Sequence, residues 1–228
     1  MTDTALIGVG LYTLAEAERL VGVPAGKVGR WLRGHRAHGR QYEPLWKPEV
    51  DLGDERIYLG FRDLMEVRVA AAFIHAGLSP QKVRRAIDLA REMIGLDRPL
   101  STVHFRTDGR TVFLRMAEDD RDRLIDLFRK QYAFREIVEP SLKHVDFGED
   151  GVPRRWWPLG RRGHVVVDPE RAFGQPIEST TSVPVASLVA AVSAEGSVEA
   201  AAAAWDVPSS AVRHALEFSS LGEMRKAA

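Results

Sequence analysis

The chain has 228 residues, 45% of them apolar, and is therefore long enough to bury one large hydrophobic core or two smaller ones. Cysteine is absent, which excludes disulfide frameworks, thiolate metal sites and cysteine nucleophiles and is typical of a cytoplasmic protein. The first residues lack the basic start and apolar stretch of a signal peptide, and no run reaches the roughly 18 apolar residues of a membrane span, so we expect neither secretion nor a membrane partner.

Positive charge is concentrated near the N-terminus. The whole chain has 32 Lys and Arg against 32 Asp and Glu, so no global positive field attracts a nucleic acid. Between Pro24 and Pro48, however, Glu43 is the one acid, while six residues are basic: Lys27, Arg30, Arg33, Arg36, Arg40 and Lys47. These charges predict either a local DNA-binding patch or an ordinary solvated helix face followed by a charged loop.

Two short helices are predicted at the start of the chain. Thr13 and Glu16 have the spacing of a capping box, which begins a helix over about 14–21, and Gly22 supplies the turn after it. Pro24 is preorganised for the first turn of a second helix that ends near Arg33. Because the apolar positions of both helices have the spacing of two packed helices, the pattern indicates a helix-turn-helix.

A polar, aromatic and turn-rich segment over 34–59 follows the second helix and suits a wing or an extended arm. After it, two antiparallel helices are predicted over 61–76 and from Ser79 to about 94. Gly77 supplies the break between them.

Residues 102–115 change from helical to alternating spacing. Asp108-Gly109 at the centre of this segment is a strong turn signal. The segment therefore predicts a β-hairpin with one buried face, made by Val103, Phe105, Val112 and Leu114. Residues 119–142 return to helical spacing, with acids at the start of the predicted helix.

The rest of the chain predicts a linker and a second, helical domain. A short buried strand over 164–167 is followed by helices over about 184–194, 197–205 and 209–218. The predicted organisation is an N-terminal domain over 1–147, a linker rich in Gly, Pro and Arg over 148–163, a C-terminal domain over 164–219 and a flexible tail over 220–228. The predicted fold is mainly α with a small β-hairpin, in two domains: an N-terminal winged helix-turn-helix and a C-terminal helical domain like a helix-turn-helix.

The last helices repeat the first pair. A shift of 184 residues superimposes Val23-Pro24 on Val207-Pro208, and Ala17, Val28 and Leu32 on residues of the same kind. The second pair contains one basic residue, Arg213, against three acids. Since phosphate binding needs clustered cations, we expect the first motif to contact DNA and the second to serve dimerisation or partner binding. A Val-Pro helix restart is also a common way to join two short helices, and that interpretation stays open.

About the first 95 residues resemble the MerR-type winged helix-turn-helix family. The resemblance rests on 12–32, on Arg56-Ile57-Tyr58, and on a stretch from Asp63-Leu64-Met65 through Gly77-Leu78-Ser79 to Arg84-Arg85-Ala86. It implies a DNA-binding domain. The metal effectors of the family do not carry over, because the chain has no cysteine to bind them.

The last 65 residues are similar to the domain-of-unknown-function family numbered 433. Its pattern is present as Val166-Val167-Asp168-Pro169, Gly174-Gln175-Pro176-Ile177 and Thr181-Ser182-Val183-Pro184-Val185, with Ser182 where the family usually has Arg. Members are typically antitoxins encoded beside a PIN-type ribonuclease, as in VapB antitoxins. The resemblance implies neutralisation of a PIN-type ribonuclease toxin and repression of the chain's own operon.

If the second helix enters a major groove of operator DNA, its outward residues Lys27, Arg30 and Arg33 reach base edges. Phosphate or minor-groove contacts are then expected from the arm, at Arg36, Arg40, Tyr42 and Lys47. We expect a homodimer, because helix-turn-helix proteins usually bind two half-sites.

A toxin-binding motif is predicted at Arg154-Arg155-Trp156-Trp157, which combines the aromatic and cationic residues of interface hot spots. An inserted Arg would neutralise the carboxylates of a PIN-type active site. Adjacent tryptophans at a domain junction also serve as a plug between two cores, and the tail with Arg225 and Lys226 is another candidate.

We expect no catalytic residue, cofactor or metal site. His35 and His38 lack the further ligands of a metal site, and the chain has no phosphate-binding glycine loop, nucleophile elbow or dinucleotide fingerprint. The alternative function is a stand-alone MerR-like, ligand-responsive transcriptional regulator. Its ligand pocket would be lined by Val103, Phe105, Phe113 and Phe128, although these residues fill an ordinary core equally well.

Overall fold

Local sequence signals at the start of the chain produce the predicted helices. In the computed structural model, which describes residues 8–37, 39–119 and 131–227, the Thr13 hydroxyl accepts from the backbone N–H of Glu16 at 3.3 Å. The Glu16 carboxylate accepts from the backbone N–H of Thr13 at 2.8 Å, which completes the predicted capping box. Gly22 ends the first helix in the left-handed region at φ 72°.

The fold is mainly helical with small β elements, as the sequence predicts. The chain divides into two compact units. We call Thr13–Lys143 with Phe147–Pro153 the N-terminal unit. Of the described residues, 8–12, His144–Asp146 and 154–227 form the C-terminal unit. The domain boundaries expected from the sequence stay a prediction.

Six helices and four short strands precede residue 142 in the described part of the chain. The helices are α1 (Leu14–Val21), α2 (Ala25–Arg33), α3 (Phe61–His75), α4 (Pro80–Ile94), α5 (Val103–Asp119) and α6 (Gln131–Ser141). The strands are β1 (Tyr12–Thr13), β2 (His35–Ala37), β3 (Arg40–Tyr42) and β4 (Tyr58–Leu59). β2 and β3 form an antiparallel hairpin in which His35 pairs with Tyr42, and this hairpin lies in the segment predicted as a wing or arm.

The predicted β-hairpin over 102–115 is wrong, because this segment begins helix α5. Phe105, Val112, Phe113 and Met116 are buried, which is the spacing of one helix face. Gly109 is not a turn residue: a Cβ there would lie 2.7 Å from the ring of Phe134 and 2.8 Å from that of Phe105. Close packing of two aromatic rings therefore explains this glycine.

Four phenylalanines form the centre of the N-terminal unit. The ring centroids of Phe73 and Phe113 lie 5.1 Å apart, and those of Phe105 and Phe134 lie 5.6 Å apart. All four side chains are buried, and such aromatic pairs add stability beyond the area that they bury. The predicted helix over 119–142 is described only from residue 131 onward, where α6 brings Phe134 to this core; Phe128 lies outside the described residues.

Asp63 joins the arm to α3. Its carboxylate accepts hydrogen bonds from Trp46 Nε1 at 2.9 Å, the backbone N–H of Glu49 at 2.7 Å and Arg98 Nε at 2.6 Å. Asp63 is fully buried and the side chain of Arg98 is only 9% exposed. The arm that follows the hairpin is therefore held by a buried, fully hydrogen-bonded charge.

Glu66, one turn further along α3, holds the chain before α5. Its carboxylate accepts from the backbone N–H of Leu100 and of Ser101, both at 3.0 Å. Burial raises the pKa of Glu66 to about 7, although these N–H groups act in the opposite direction. Its charge therefore changes near neutral pH.

The C-terminal unit contains a four-stranded sheet and three helices. The strands are β5 (Val145–Phe147), β6 (Pro153–Trp156), β7 (Val165–Val167) and β8 (Pro176–Glu178), in that spatial order. The β7–β8 register is antiparallel, with Val166 opposite Ile177. The expected linker over 148–163 thus includes β6 and a 3₁₀ turn over Arg161–Gly163.

Helices α7 (Val185–Glu195), α8 (Val198–Ala204) and α9 (Ser209–Ala227) confirm the three predicted C-terminal helices. α9 continues to Ala227 and includes most of the segment expected to be a flexible tail. The helices pack around an apolar core of Val165, Val185, Leu188, Ala191, Ala201, Ala202, Val212 and Ala215. Within the described residues, no single helix has the length and apolar composition needed to cross a membrane; α7 and α8 meet both criteria as a pair, separated by a bend of 116°.

Residues before α1 also belong to the C-terminal unit. The backbone N–H of Leu11 donates to the carbonyl of Phe173 at 2.9 Å. The hydroxyl of Tyr12, which is 1% exposed, donates to the carbonyl of Gly174 at 2.8 Å. These contacts join the start of the described chain to its last third.

Candidate nucleic-acid interface and partner surface

Burial of one face of α2 determines which residues the helix presents to solvent. Val28, Trp31 and Leu32 are buried, and α2 packs against α1 through this face. Arg30 is exposed and Lys27 is half-buried. Gly34 connects α2 to the β2–β3 hairpin in the left-handed region, at φ +72°. A Cβ at this position would overlap the carbonyl of Tyr42, so the close approach of the two backbone segments requires glycine.

A groove of about 860 Å³ lies between α2, the β3 end of the hairpin and the first turns of α4. Four cations line it, from two different helices: Lys27, Arg30, Arg84 and Arg85. Two acids, Glu43 and Asp88, also line it, and Arg84 Nε lies 3.9 Å from Asp88 Oδ2. The groove therefore combines an excess of positive charge with polar donors and acceptors from Gln41, Tyr42 and Gln81.

The structure brings together three of the seven residues predicted to bind DNA. Lys27, Arg30 and Tyr42 line the groove. Lys27 Nζ lies 5.5 Å from the centroid of the Trp31 ring, and His35 stacks on Tyr42 with ring centroids 4.8 Å apart. These ring contacts orient the side chains on the groove wall.

The other predicted residues lie outside the groove lining. Arg33 Nη2 donates to the carbonyl of Glu55 at 2.6 Å, and Arg36 Nε donates to Gln41 Oε1 at 3.2 Å. Lys47 is exposed on the arm, and Arg40 lies in β3. His38, considered above as a metal ligand, lies outside the described residues.

Arg84 and Arg85 are groove residues that the basic-patch argument missed. Arg84 lies 36 residues beyond Pro48, where the patch ends. Val83, Ala86 and Ile87 on the opposite face of α4 are buried. The signal was present in the sequence as two adjacent arginines on the outer face of an amphipathic helix. The sequence does not show that α4 lies beside α2, so only the structure assigns the two arginines to the groove.

The predicted toxin-binding motif divides into an inner and an outer pair. Trp156 and Trp157 are 4% and 9% exposed, and Trp157 packs with Val166 and Ile177. The two arginines before them, Arg154 and Arg155, are exposed in β6. The tryptophans therefore belong to the interior of the C-terminal unit, and the arginines are the part of the motif that faces solvent.

Asp146 organises the charged side chains around this strand. Its Oδ2 accepts from Trp157 Nε1 at 2.9 Å and lies 3.5 Å from Arg155 Nε. Its Oδ1 accepts from Arg161 Nη2 at 2.7 Å, and the guanidinium of Arg161 lies 4.9 Å from the centroid of the Trp157 ring. The carboxylate of Asp146 thus pairs with two arginines, so these three side chains together carry a net positive charge.

Comparison with known proteins shows to which family the chain belongs. No family model matches. A protein of Mycobacterium tuberculosis (strain ATCC 25618 / H37Rv) named "Putative antitoxin VapB45" is 30% identical over 224 residues, which is 92% of this chain and 93% of that protein. An uncharacterized protein of the same organism, Rv2308, is 24% identical over 110 residues, 44% of this chain and 42% of its own length.

A solved structure has the same fold. The crystal structure of Rv2018 from Mycobacterium tuberculosis superimposes with a TM-score of 0.71 at 28% sequence identity, over 92% of this chain and 99% of that one. The near full-length sequence similarity to the protein named as an antitoxin agrees with the antitoxin family expected from the sequence. The chain belongs to the VapB-type antitoxin family.

Proposed function

We propose that this antitoxin binds the DNA of its own operon through the groove between α2, the hairpin and α4, and neutralises a PIN-type ribonuclease toxin. The observation that carries the DNA-binding part is the groove itself, where Lys27 and Arg30 of one helix face Arg84 and Arg85 of another. Cations that converge from two elements form the clustered charge that phosphate binding requires. The relative VapB45, named as an antitoxin, supports the toxin partner.

The groove has the layout of a winged helix-turn-helix, which supports the MerR-like assignment of this unit. α2 follows α1 after the turn at Gly22, as a recognition helix follows its partner. The β2–β3 hairpin follows α2 directly and takes the place of a wing. The N-terminus of α4 adds Pro80 and Gln81 to the groove, and the dipole of this 15-residue helix favours an anionic phosphate there.

Within this proposal, Lys27 and Arg30 bind base edges, while Arg84 and Arg85 bind phosphates. Arg36, Arg40 and Lys47 then extend the phosphate contacts along the arm. A homodimer would present two grooves to two half-sites of an operator.

The toxin-binding surface is proposed at Arg154 and Arg155. Both arginines are exposed on β6, while the buried tryptophans next to them fix the strand. A PIN-type active site is rich in carboxylates, and an arginine fork binds a carboxylate through two hydrogen bonds.

The alternative of a ligand-responsive regulator gains no support from the described residues. Phe105 and Phe113, predicted to line its pocket, pack directly on Phe73 and Phe134. Their burial leaves them as core residues.

Co-expression of the chain with a PIN-type protein encoded beside it tests the proposal. We expect the two to copurify, the ribonuclease activity to be suppressed, and the complex to shift the DNA upstream of the operon in a gel. Lys27→Ala with Arg30→Ala should abolish the shift and leave suppression intact. Arg154→Ala with Arg155→Ala should release ribonuclease activity and leave the shift intact.

Arg213→Ala is the matched control for loss of one exposed cation, because Arg213 is paired with Glu199 at 2.9 Å outside both surfaces. Binding of upstream DNA without a PIN-type partner would contradict the toxin part. A complex that suppresses the ribonuclease but does not bind the DNA would contradict the proposed role of the groove in DNA binding.

A further inference from the structure

Three side chains of the C-terminal unit that the proposed function does not use converge in one cluster. His164, Glu178 and His214 each offer one donor atom, and these atoms all lie within 4.8 Å of one another. The two imidazole rings stack with centroids 4.3 Å apart and planes 13° apart. Glu178 Oε1 lies 3.4 Å from His214 Nδ1. We call these three residues the His–Glu cluster.

The three positions are fixed by three different elements. His164 ends the 3₁₀ turn over Arg161–Gly163 in the left-handed region at φ 52° and directly precedes β7. Glu178 ends β8, where it pairs with Val165 of β7. His214 lies in α9 between the buried residues Val212 and Ala215. Since β7, β8 and α9 pack together through the apolar core, the cluster is preorganised before any ligand binds.

Hydrogen bonds orient the carboxylate of Glu178, as they orient the carboxylate ligands of metal sites. The side chain is fully buried. Its Oε2 accepts four hydrogen bonds from Thr180 and Thr181, from both backbone N–H groups and both hydroxyls, at 2.6 to 3.0 Å. Hydrogen bonds that orient a ligand from behind are typical of metal sites.

The second oxygen of Glu178 is directed into the cluster. Among the described residues, the contact of Oε1 with His214 at 3.4 Å is its one polar contact, and this is longer than a good hydrogen bond. Burial raises the pKa of Glu178, but the hydrogen bonds from Thr180 and Thr181 outweigh it and lower the pKa below its usual value. The carboxylate is therefore ionised and lacks a strong partner on one side.

Ring nitrogens of the two histidines are available to bind a ligand. Within the part of the chain that the structure describes, the ring of His164 makes no hydrogen bond, and that of His214 makes only its contact with Glu178. Both side chains are half-buried, so a small ion and a water molecule can reach them. An imidazole ring in its neutral form offers one nitrogen lone pair to a metal.

We propose that His164, Glu178 and His214 bind one divalent transition-metal ion, zinc in the first place, through one nitrogen of each imidazole and Oε1 of the carboxylate. Two nitrogens and one oxygen suit zinc and its neighbours in the first transition series, whereas calcium and magnesium prefer oxygen alone. Three protein ligands leave a fourth position for water or for a group from a partner. The ion would tie α9 to β8.

Metal binding to the full-length, tag-free protein, stripped with a chelator and titrated by calorimetry, tests the site. We expect one zinc ion to bind per chain, magnesium not to bind, and cobalt to give the visible absorption of a four-coordinate nitrogen and oxygen site. His164→Gln and His214→Gln should each weaken zinc binding by roughly 100-fold or more, because loss of a ligand costs more than loss of an outer hydrogen-bond partner, which costs roughly 10- to 100-fold. Zinc should raise the melting temperature of the wild type and not that of the variants.

His75→Gln is the matched control, because His75 is exposed at the end of α3 and belongs to the other unit. Circular dichroism without metal checks that each variant folds. If a variant does not fold, the cobalt spectrum of the wild type still shows whether the protein has a four-coordinate metal site. Absence of saturable zinc binding, or equal affinity of the wild type and both cluster variants, would overturn the proposal.

Discussion

Two helix pairs of this chain, α1–α2 and α8–α9, bury residues at matching positions and differ in the charge of their surfaces. When α1–α2 is shifted by 184 residues onto α8–α9, Ala17 and Val28 fall on Ala201 and Val212, and all four are 0% exposed. The positions of the cations differ. The exposed Arg30 and Arg33 of the first pair correspond to His214 and Glu217 of the second, and the half-buried Lys27 corresponds to Ala211, which is 1% exposed.

Matching buried positions alone therefore do not determine the surface charge of a helix pair. In the first pair, Lys27 and Arg30 line a groove with further cations from α4. In the second pair, Arg213 is paired with Glu199 at 2.9 Å, and His214 faces Glu178. Helix pairs with matching buried positions thus support a cationic groove in one unit and charge-paired side chains in the other.

The interiors around the two pairs also differ. The N-terminal unit buries two carboxyls, Asp63 and Glu66, close to the arm and to α5. The C-terminal unit also buries two carboxyls, Asp168 and Glu178, while its helices α7, α8 and α9 pack around Val, Leu and Ala. The pKa of Glu66 is raised to about 7, whereas hydrogen bonds lower that of Glu178. We therefore expect the first region to respond to pH near neutrality more strongly than the second.

The largest effect is expected for Asp63→Ala. The substitution leaves the guanidinium of Arg98 buried without its carboxylate, so the free energy of unfolding should fall by about 3–5 kcal/mol. Urea denaturation measures this loss. Glu139→Ala, which breaks the exposed pair with Arg135 on α6, is the control and should cost less than about 1 kcal/mol. Equal costs for the two substitutions would show that the buried pair does not support the first region.

A pH-dependent effect of similar size is expected for Glu66→Gln. Because the pKa of folded Glu66, about 7, lies above its ordinary 4.5, the folded state binds this proton more tightly than the unfolded state. The stability that this proton provides is present below pH 4.5 and is lost as the pH rises to about 7. The change is on the order of 3 kcal/mol.

Urea denaturation of the wild type and of Glu66→Gln over this pH range checks the prediction. The free energy of unfolding of the wild type should fall relative to that of the variant as the pH rises. A difference between the two proteins that stays constant with pH would show that Glu66 does not titrate there.

A smaller effect is expected for Arg30→Ala, which removes one cation from the groove. Affinity for the operator should fall by about 1–3 kcal/mol, which is roughly 5- to 150-fold. Fluorescence anisotropy at fixed salt concentration measures it, and the free energy of unfolding should stay unchanged because Arg30 is exposed. Unchanged affinity would remove the main difference between the two helix pairs.

The smallest effect is expected for Arg213→Ala in the second pair. Arg213 and Glu199 are 61% and 69% exposed, so breaking their ion pair should cost less than about 1 kcal/mol of stability. DNA affinity should equal that of the wild type in the same anisotropy assay. A loss comparable to that of Arg30→Ala would mean that both pairs bind DNA.

Sequence patterns predicted the elements whose signals are local. The capping box at Thr13 and Glu16, the turn at Gly22 and the strand over 164–167 are all confirmed. The prediction of a hairpin over 102–115 was wrong because Asp108-Gly109 has the local chemistry of a turn. In the structure, Phe105 and Phe134 pack closely against Gly109, and the segment belongs to a helix. Tertiary packing overrides a local turn signal, and one sequence does not reveal which rings meet.

The candidate sites show the same limit. Lys27 and Arg30 were found because they are close together in the sequence and on one helix face. Arg84 joins them only through the fold, and the His–Glu cluster has no sequence spacing of a known metal motif: Glu178 and His214 are 36 residues apart. Constellations built from separate elements need a structure to be recognised.

The contacts of Leu11 and Tyr12 with Phe173 and Gly174 have a consequence for synthesis on the ribosome. The residues before α1 leave the ribosome before the backbone groups that they bind, because those groups are made some 160 residues later. The N-terminal unit can fold in the meantime, whereas the other unit waits with its first segment unpaired. Any exchange of this unit between related proteins must therefore move both ends of the chain together.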